Sequence, residues 1–140
     1  MWSSSYSQKV YGLTKEKIWN CWSDINHWHL WQDDLDYARL YNSFKVGSKF
    51  YFKPKNGRII TLLLVEVMAR QSFTDMLKLP LAKMYDHHEL IEHPDHIEIK
   101  TTTSITGVFS WVWRKLIVEK IANDHEHHTL SMIEFLKKQQ

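Results

Sequence analysis

The last third of the chain, residues 108–138, repeats apolar residues at three- and four-residue steps and contains no proline or glycine. This periodicity predicts one long amphipathic helix with a wide apolar stripe, which needs a broad surface to cover it. Three polar residues fall on or beside this stripe: Lys120, Asp124 and either His127 or His128. A polar group on a buried stripe usually has a partner or faces a cavity. The predicted stripe consists of Phe109, Val112, Trp113, Leu116, Ile117, Ile121, Met132 and Phe135.

The first 31 residues predict one strand and two short helices. Residues 4–11 alternate weakly between polar and apolar and end at Gly12, which indicates a strand followed by a turn. Thr14 is the predicted N-cap of a helix whose periodic residues include Ile18 and Trp22. Asp24 is the predicted N-cap of a second short helix over residues 25–30.

The middle of the chain changes to a period of two, which predicts strands. Alternation begins at residues 35–41 and continues through residues 49–53. Asn56-Gly57 then predicts a tight hairpin turn before a strand over residues 58–68. Further strands are predicted over residues 71–78, 85–92 and 96–105. Strands joined by hairpins form an antiparallel sheet, and the long helix is the element that can fill its concave face.

Composition narrows the class of protein. The chain has 140 residues and a formal net charge of +2, which favours one domain over residues 1–140 and gives no field suited to nucleic acid. Cys21 is its one cysteine, so no internal disulfide forms and a reducing compartment is expected. The start lacks a signal-peptide pattern, and the longest apolar run is too short to span a bilayer, so we expect a cytoplasmic protein without a transmembrane segment. Seven tryptophans are compatible with a pocket lined by aromatic rings.

Several segments together resemble a known superfamily. The segment IWNCWSDINHWHLW, residues 18–31, is the most specific, and Val46-Gly47-Ser48, the Asn56-Gly57 hairpin and the glycine before the terminal helix agree with it. The chain resembles the polyketide cyclase/dehydrase and lipid-transport families of the START-like (SRPBCC) superfamily. Such families often have Gly-Thr in the turn where this chain has Pro94-Asp95-His96. This departure puts the subfamily in question more than the fold.

The resemblance implies an α+β helix-grip fold. In that fold a curved seven-stranded antiparallel sheet surrounds the long C-terminal helix, and two short helices follow the first strand. Such proteins often keep a hydrophobic cavity between sheet and helix. The superfamily includes carriers, cyclases and members with no assigned substrate, so the fold alone does not imply an activity.

The expected ligand of such a cavity is a small hydrophobic molecule, aromatic, polyketide-like or lipid-like. The alternative interpretation is that the same side chains simply fill a core. The residues expected to line the cavity are Trp28, Trp31, Phe50, Phe52, Met84, His88, Leu90, Ile97, Ile99, Trp113, Leu116, Ile117 and Lys120.

The candidates for proton transfer fall into two groups. Lys120, Asp124 and His128 are four residues apart and share a helix face, where Asp124 would orient His128; the alternative is a solvated row of ion pairs. His88 shares a strand face with Met84 and Leu90, so an inward His88 would need a hydrogen-bond partner. The opposite face of that strand is about equally mixed.

Two further residues carry weaker hypotheses. Asp75 would be a plausible acid or base if buried, although an outward or strand-edge position is expected. Cys21 has aromatic neighbours and no adjacent base beyond histidines several residues away, so a nucleophilic role is not expected.

The chain has nine histidines, which raises the question of a metal site, but their spacing does not support one. His87 and His88 are strand neighbours that point to opposite faces, and residues two apart on a helix do not face each other. We therefore expect surface histidines, with no metal and no cofactor.

Ligand binding is the preferred function, because the chain is rich in apolar and aromatic residues that could line a cavity and has no catalytic motif. One alternative is a cyclase or dehydratase that acts on such a ligand. The other is a protein-interaction module that uses exposed tryptophans such as Trp2 or Trp111, without a ligand. A monomer or a homodimer is expected.

Overall fold

A computed structural model describes residues 2–139 as one curved sheet with helices on its concave side. Neighbouring strands are antiparallel throughout, in the order β1-β7-β6-β5-β4-β3-β2. The predicted α+β helix-grip architecture, with its seven-stranded sheet, is therefore confirmed. The strands are β1 (Trp2–Val10), β2 (Leu35–Leu40), β3 (Lys49–Pro54), β4 (Ile60–Met68), β5 (Ser72–Leu79), β6 (Ala82–Glu92) and β7 (Ile97–Thr106).

Two short helices follow β1, as the sequence predicts. Helix α1 spans Lys15–Ser23, and a 3-10 helix spans Ile25–Leu30. Thr14 Oγ1 accepts a hydrogen bond from the backbone N–H of Lys17 at 3.2 Å, which confirms the predicted cap. Asp24 occupies the predicted N-cap position of the second helix, but its side chain makes no capping hydrogen bond. Its carboxylate instead hydrogen bonds to Nδ1 of His27 at 2.9 Å.

The C-terminal helix contains a π-helical turn, which the sequence pattern did not predict. It is α-helical over Ser110–Trp113, π-helical over Arg114–Val118 and α-helical again over Glu119–Lys138. A π turn adds one residue to the helical repeat and so rotates everything after it relative to a regular α-helix.

This rotation changes which residues face the sheet. Val118 is fully buried where an uninterrupted α-helix would place Ile117. Leu116 is 68% exposed, so its expected inward position is wrong, and the side chain of Lys120 also lies at the surface. The residues that do face inward after the turn are Val118, Ile121, His125, Thr129, Met132 and Leu136.

The apolar interior is divided into two clusters. The larger one lies under the short helices, where Trp22 packs edge-on against Phe73 at 5.4 Å and Trp28 against Phe50 at 5.5 Å. The smaller one lies near the start of the C-terminal helix. Its buried residues are Ala82, Met84, Ile105 and Val118. Within residues 2–139, no helix is long and apolar enough to cross a membrane.

Candidate functional site

A band of polar side chains separates the two apolar clusters. Along β7 the inward face runs Ile97, Ile99, Thr101, Thr103 and Ile105, so two threonines lie between apolar ends. The same order recurs on β5, on β6 and on the C-terminal helix, where His125 lies between Val118 and Met132. We call this group the polar band. Its members are Asp75, Asp86, His88, Thr101, Thr103 and His125.

Strand register brings the members of the polar band together. Asp75 of β5 is directly opposite Asp86 of β6, and Asp86 is directly opposite Thr103 of β7. His88 is opposite Thr101 in the same way. Like charges directly opposite each other destabilise a sheet, so two buried carboxylates in this position need compensation.

One half of the polar band is a buried ion pair between Asp86 and His125. Nε2 of His125 lies 3.1 Å from Oδ1 of Asp86, and the hydroxyl of Thr103 donates to the same oxygen at 2.6 Å. Burial by itself raises the pKa of Asp86, but the hydrogen bond and the charge of His125 outweigh burial and hold that pKa below its usual value. Burial lowers the pKa of His125, and the carboxylate of Asp86 reverses this and raises it. Both shifts favour the charged forms, a carboxylate at Asp86 and an imidazolium at His125.

The other half is built from Asp75 and His88. Asp75 is only 3% exposed, and burial raises its pKa despite the opposing contact with His88. Nε2 of His88 lies 3.5 Å from Oδ2 of Asp75, and its Nδ1 lies 3.3 Å from the hydroxyl of Thr101. The imidazole ring stacks on Phe73 with 4.5 Å between ring centroids. Oδ1 of Asp75 has no hydrogen-bond partner among residues 2–139.

This arrangement can hold and move a proton. Two facing carboxylates whose pKa values shift in opposite directions are the usual arrangement of an acid and a base in one site. Asp75 is the group that favours its protonated form, and His88 lies beside it. The same groups can also hold a polar group of a ligand by hydrogen bonding.

The structure places most of the predicted cavity-lining residues in the interior. Trp28, whose indole N–H donates to the backbone oxygen of Trp22 at 3.0 Å, fastens the 3-10 helix to α1. Buried members are Trp28, Trp31, Phe50, Met84, Ile97 and Ile99. Phe52, Leu90 and Trp113 are half-buried against the two clusters, and Ile117 is also half-buried.

The predicted catalytic row on the C-terminal helix does not assemble. Nζ of Lys120 pairs with Oδ2 of Asp124 at 2.8 Å on the surface, and that carboxylate raises the pKa of the lysine. His128 instead approaches the carboxylate of Asp34 at 3.0 Å. The contact between Asp124 and His128 that proton transfer would need is therefore absent from the ion pairs and hydrogen bonds of the described residues, and Lys120 with Asp124 matches the other interpretation, a solvated row of ion pairs.

His88 does face inward with Met84, which resolves the ambiguity of its strand. Asp75 was expected to point outward, and this expectation is wrong because its strand is central and its inward face continues from Phe73. Asp86 was missed, although its two-residue spacing from Met84 and His88 was a usable signal. His125 was also missed, although it lies four residues after Ile121 and seven before Met132, both of which belong to the predicted stripe.

An open groove of about 490 Å³ lies outside the sheet, between α1, the 3-10 helix and the end of the C-terminal helix. Trp31, Phe135 and Leu136 form part of its apolar wall, and Cys21 also lines it. Burial, and then the charge of Asp24, raise the pKa of the Cys21 thiol to about 12, which argues against a nucleophilic role. Among residues 2–139, no three His, Cys, Asp or Glu side chains are placed to hold a metal ion.

Comparison with known proteins identifies the fold. No family model and no curated protein sequence matches the chain. Among solved structures, a START superfamily protein from Mycobacterium smegmatis has a TM-score of 0.71 at 13% identity, with 99% of each chain covered. Ara h 8.0201 has a TM-score of 0.75 at 5% identity, covering 97% of this chain and 99% of that one.

A third structure comes from a biosynthetic locus. DynU16, from the dynemicin biosynthetic locus, has a TM-score of 0.74 at 10% identity, covering 99% of this chain and 48% of its own. Identities this low establish shared architecture and leave function to the site. Sheet order, helix placement and these likenesses together show that the chain has the helix-grip fold of these structures.

Proposed function

We propose that the protein binds a small, mostly apolar molecule between its sheet and its C-terminal helix, and that the polar band holds a hydrogen-bonding group of that molecule. The observation that carries this proposal is Oδ1 of Asp75, a buried oxygen with no partner among residues 2–139. START-like and related folds commonly bind hydrophobic ligands, which is consistent with it.

The unpartnered oxygen defines the polar part of the ligand. Buried side-chain oxygens in folded proteins nearly always have a hydrogen-bond partner. A hydroxyl or N–H group of a ligand would satisfy Asp75 and would offset part of the cost of burying it. Because Asp86 already has His125 as its counterion, the polar band does not call for a charged ligand.

The surroundings of Asp75 define the apolar part. Phe73 and Trp22 lie on one side of His88, with ring centroids 4.5 and 5.7 Å away, and both are buried in the larger cluster. Met84 lies on the other side in the smaller cluster. A ligand that contacts both clusters would be apolar at both ends and polar in the middle.

Native mass spectrometry of the purified protein tests this proposal. Released small molecules are identified after denaturation, and an environment-sensitive apolar dye reports binding to the empty protein. We expect Asp75→Asn to change ligand or dye affinity, since it alters the hydrogen-bonding group without changing its size. Asp124→Asn, an exposed carboxylate on the same helix as His125, is the matched control. No bound compound and no dye binding would contradict the proposal.

A second candidate is an enzyme that transfers protons on such a ligand, for example a cyclase or dehydratase. The opposite pKa shifts of the facing residues Asp75 and Asp86 favour it, because perturbed pairs of this kind concentrate at catalytic sites. Release of a bound compound in a cyclised or dehydrated form would support an enzyme. Unchanged release would support a binding protein.

A further inference from the structure

We propose that one end of the molecule docks onto an anionic lipid surface. This end combines the turn between β5 and β6 with the start of the C-terminal helix. Its exposed apolar residues form what we call the apolar tip: Leu81, Val108, Phe109, Trp111 and Leu116. The proposal does not depend on the ligand proposed above, because none of these side chains belongs to the polar band.

Backbone contacts join the two segments that carry the apolar tip. The backbone N–H of Phe109 donates to the backbone oxygen of Leu81 at 3.2 Å, which joins the helix start to the turn. A Cβ at Gly107 would lie 2.5 Å from the same oxygen, so the two segments are in direct contact. The indole N–H of Trp113 donates to the backbone oxygen of Pro80 at 2.8 Å and anchors the inner side of the helix.

A strained backbone at Leu81 and the π turn both leave apolar side chains exposed at this end of the molecule. Leu81 has a φ of 57°, a conformation that is uncommon for leucine, and its side chain still projects into solvent. In the π turn, residues four or five apart share a face, so Leu116 follows Trp111 on the outer side. Trp111 is 70% exposed. Single exposed apolar residues are ordinary, whereas a joined group of this kind indicates an interaction surface.

Basic side chains flank the apolar tip. Lys78 of β5 and Lys83 of β6 are directly opposite each other, both are exposed, and neither forms an ion pair with another residue in the range 2–139. Like charges in this position destabilise a sheet, and an external anion would relieve that cost. On the helix, Arg114 and Lys115 share a single carboxylate, that of Glu119, at 3.4 Å from each.

An anionic membrane surface fits this combination. Tryptophan is favoured at the boundary between headgroups and acyl chains, and lysine and arginine beside apolar side chains are typical of proteins that bind the membrane interface. Each lysine near an anionic bilayer adds attraction that salt weakens. The apolar tip would insert shallowly, while Lys78, Lys83 and Lys115 would contact headgroups.

Vesicle co-sedimentation tests the proposal on the full chain. Vesicles of phosphatidylcholine alone are compared with vesicles that contain phosphatidylcholine and phosphatidylglycerol in a ratio of about 7:3, a composition chosen to supply the negative surface potential. We expect binding to the anionic vesicles that weakens with added salt. Trp111→Ser, and separately Lys78→Gln with Lys83→Gln, should each lower this binding by roughly tenfold or more.

Matched controls come from elsewhere on the surface. Tyr41→Ser removes an exposed aromatic ring from β2's far end, and Lys137→Gln with Lys138→Gln removes two lysines from the other end of the helix. These variants should bind as the unaltered protein does, and circular dichroism should show all of them folded. Absence of vesicle binding, or equal loss in test and control variants, would overturn the proposal. A concentration-dependent dimer that Trp111→Ser abolishes, without vesicle binding, would overturn it in favour of contact between copies.

Discussion

Replacing Asp86 with asparagine should destabilise the protein because it removes the counterion of a buried imidazolium. The side chains of Asp86 and His125 are 10% and 13% exposed, so water screens the pair only weakly. The carboxylate of Asp86 also accepts a hydrogen bond from the hydroxyl of Thr103 at 2.6 Å. Asparagine keeps the shape and one acceptor oxygen but loses the charge.

The expected loss is about 3 kcal/mol, the low end of the ~3–5 kcal/mol seen when one partner of a buried pair is removed. The low end applies because asparagine still accepts a hydrogen bond from Thr103, and because His125 can be buried as the neutral imidazole once the carboxylate is gone. For a chain of this length, such a loss corresponds to a fall in Tm of roughly 10 °C.

The pH dependence of stability follows from the two pKa shifts. The folded-state pKa of Asp86 is lowered, so its contribution is present above the unfolded value of about 3.9 and is lost as pH falls through the folded value. The folded-state pKa of His125 is raised, so its contribution is present below about 6.5 and is lost as pH rises through the folded value. The pair therefore stabilises most between these two pH values, and the effect of Asp86→Asn should be largest there.

Urea unfolding followed by circular dichroism, at several pH values, measures this loss, and nuclear magnetic resonance measures the pKa of His125. In Asp86→Asn that pKa should fall, since the carboxylate that raises it is gone. Asp36→Asn, an exposed carboxylate paired with Lys53 on the outside of β2, is the control and should change stability little. Unaltered stability of Asp86→Asn, or an unaltered His125 pKa, would refute the assignment of the ion pair.

Three further outcomes can be measured on single variants or on the unaltered protein. Asp75→Asn should leave stability at pH 7 unchanged or raise it by about 1 kcal/mol, with no gain at pH 3. Burial raises the pKa of Asp75, so the cost of burying its ionised form develops only as pH rises above about 3.9. A large loss of stability in urea unfolding would contradict this. Gly107→Ala should lower the free energy of unfolding by about 2 kcal/mol or more in the same assay, because the φ of Gly107 is 117° and the new Cβ would clash with the backbone oxygen of Leu81. An unchanged stability would refute that contact. Cys21, whose thiol pKa is raised to about 12, should react with iodoacetamide at pH 7.5 far more slowly than a free thiol and should regain ordinary reactivity in urea. Fast labelling of the folded protein would contradict the raised pKa.

Local patterns were sufficient for most of the architecture. Alternation of period two located the strands within a few residues, and Asn56-Gly57 located a turn in which Asn56 has a φ of 60°. The cap at Thr14 depends on a single hydroxyl and the N–H three residues later, so it too was predictable. Asp24 shows the limit of such rules, because it occupies the N-cap position while its carboxylate accepts a hydrogen bond from His27 and makes no capping bond.

The candidate site was predictable only where a strand pattern carried it. Alternation put His88 on one strand face with Met84, without deciding which face is inward, and Asp86 shares that face by the same two-residue step. The partners of these residues come from register, which sets Asp75 opposite Asp86 and which alternation within one strand does not contain. The sequence of one strand indicates which side chains share a face, but the residues they contact on a neighbouring strand depend on how the two strands are aligned.

The sequence by itself determined the order of elements, the antiparallel sheet and the helix that fills it, because these depend on periodicity and on turn residues. The tertiary structure decided which side of that helix is buried. A π turn over Arg114–Val118 makes Val118 the buried residue in place of Leu116 and Ile117, and Ile121 and His125 follow Val118 at three- and four-residue steps. The physical reason is that a single extra residue in a helical turn leaves composition and spacing unchanged while it rotates every later side chain. On the buried side His125 meets Asp86, whereas Lys120 lies in solvent.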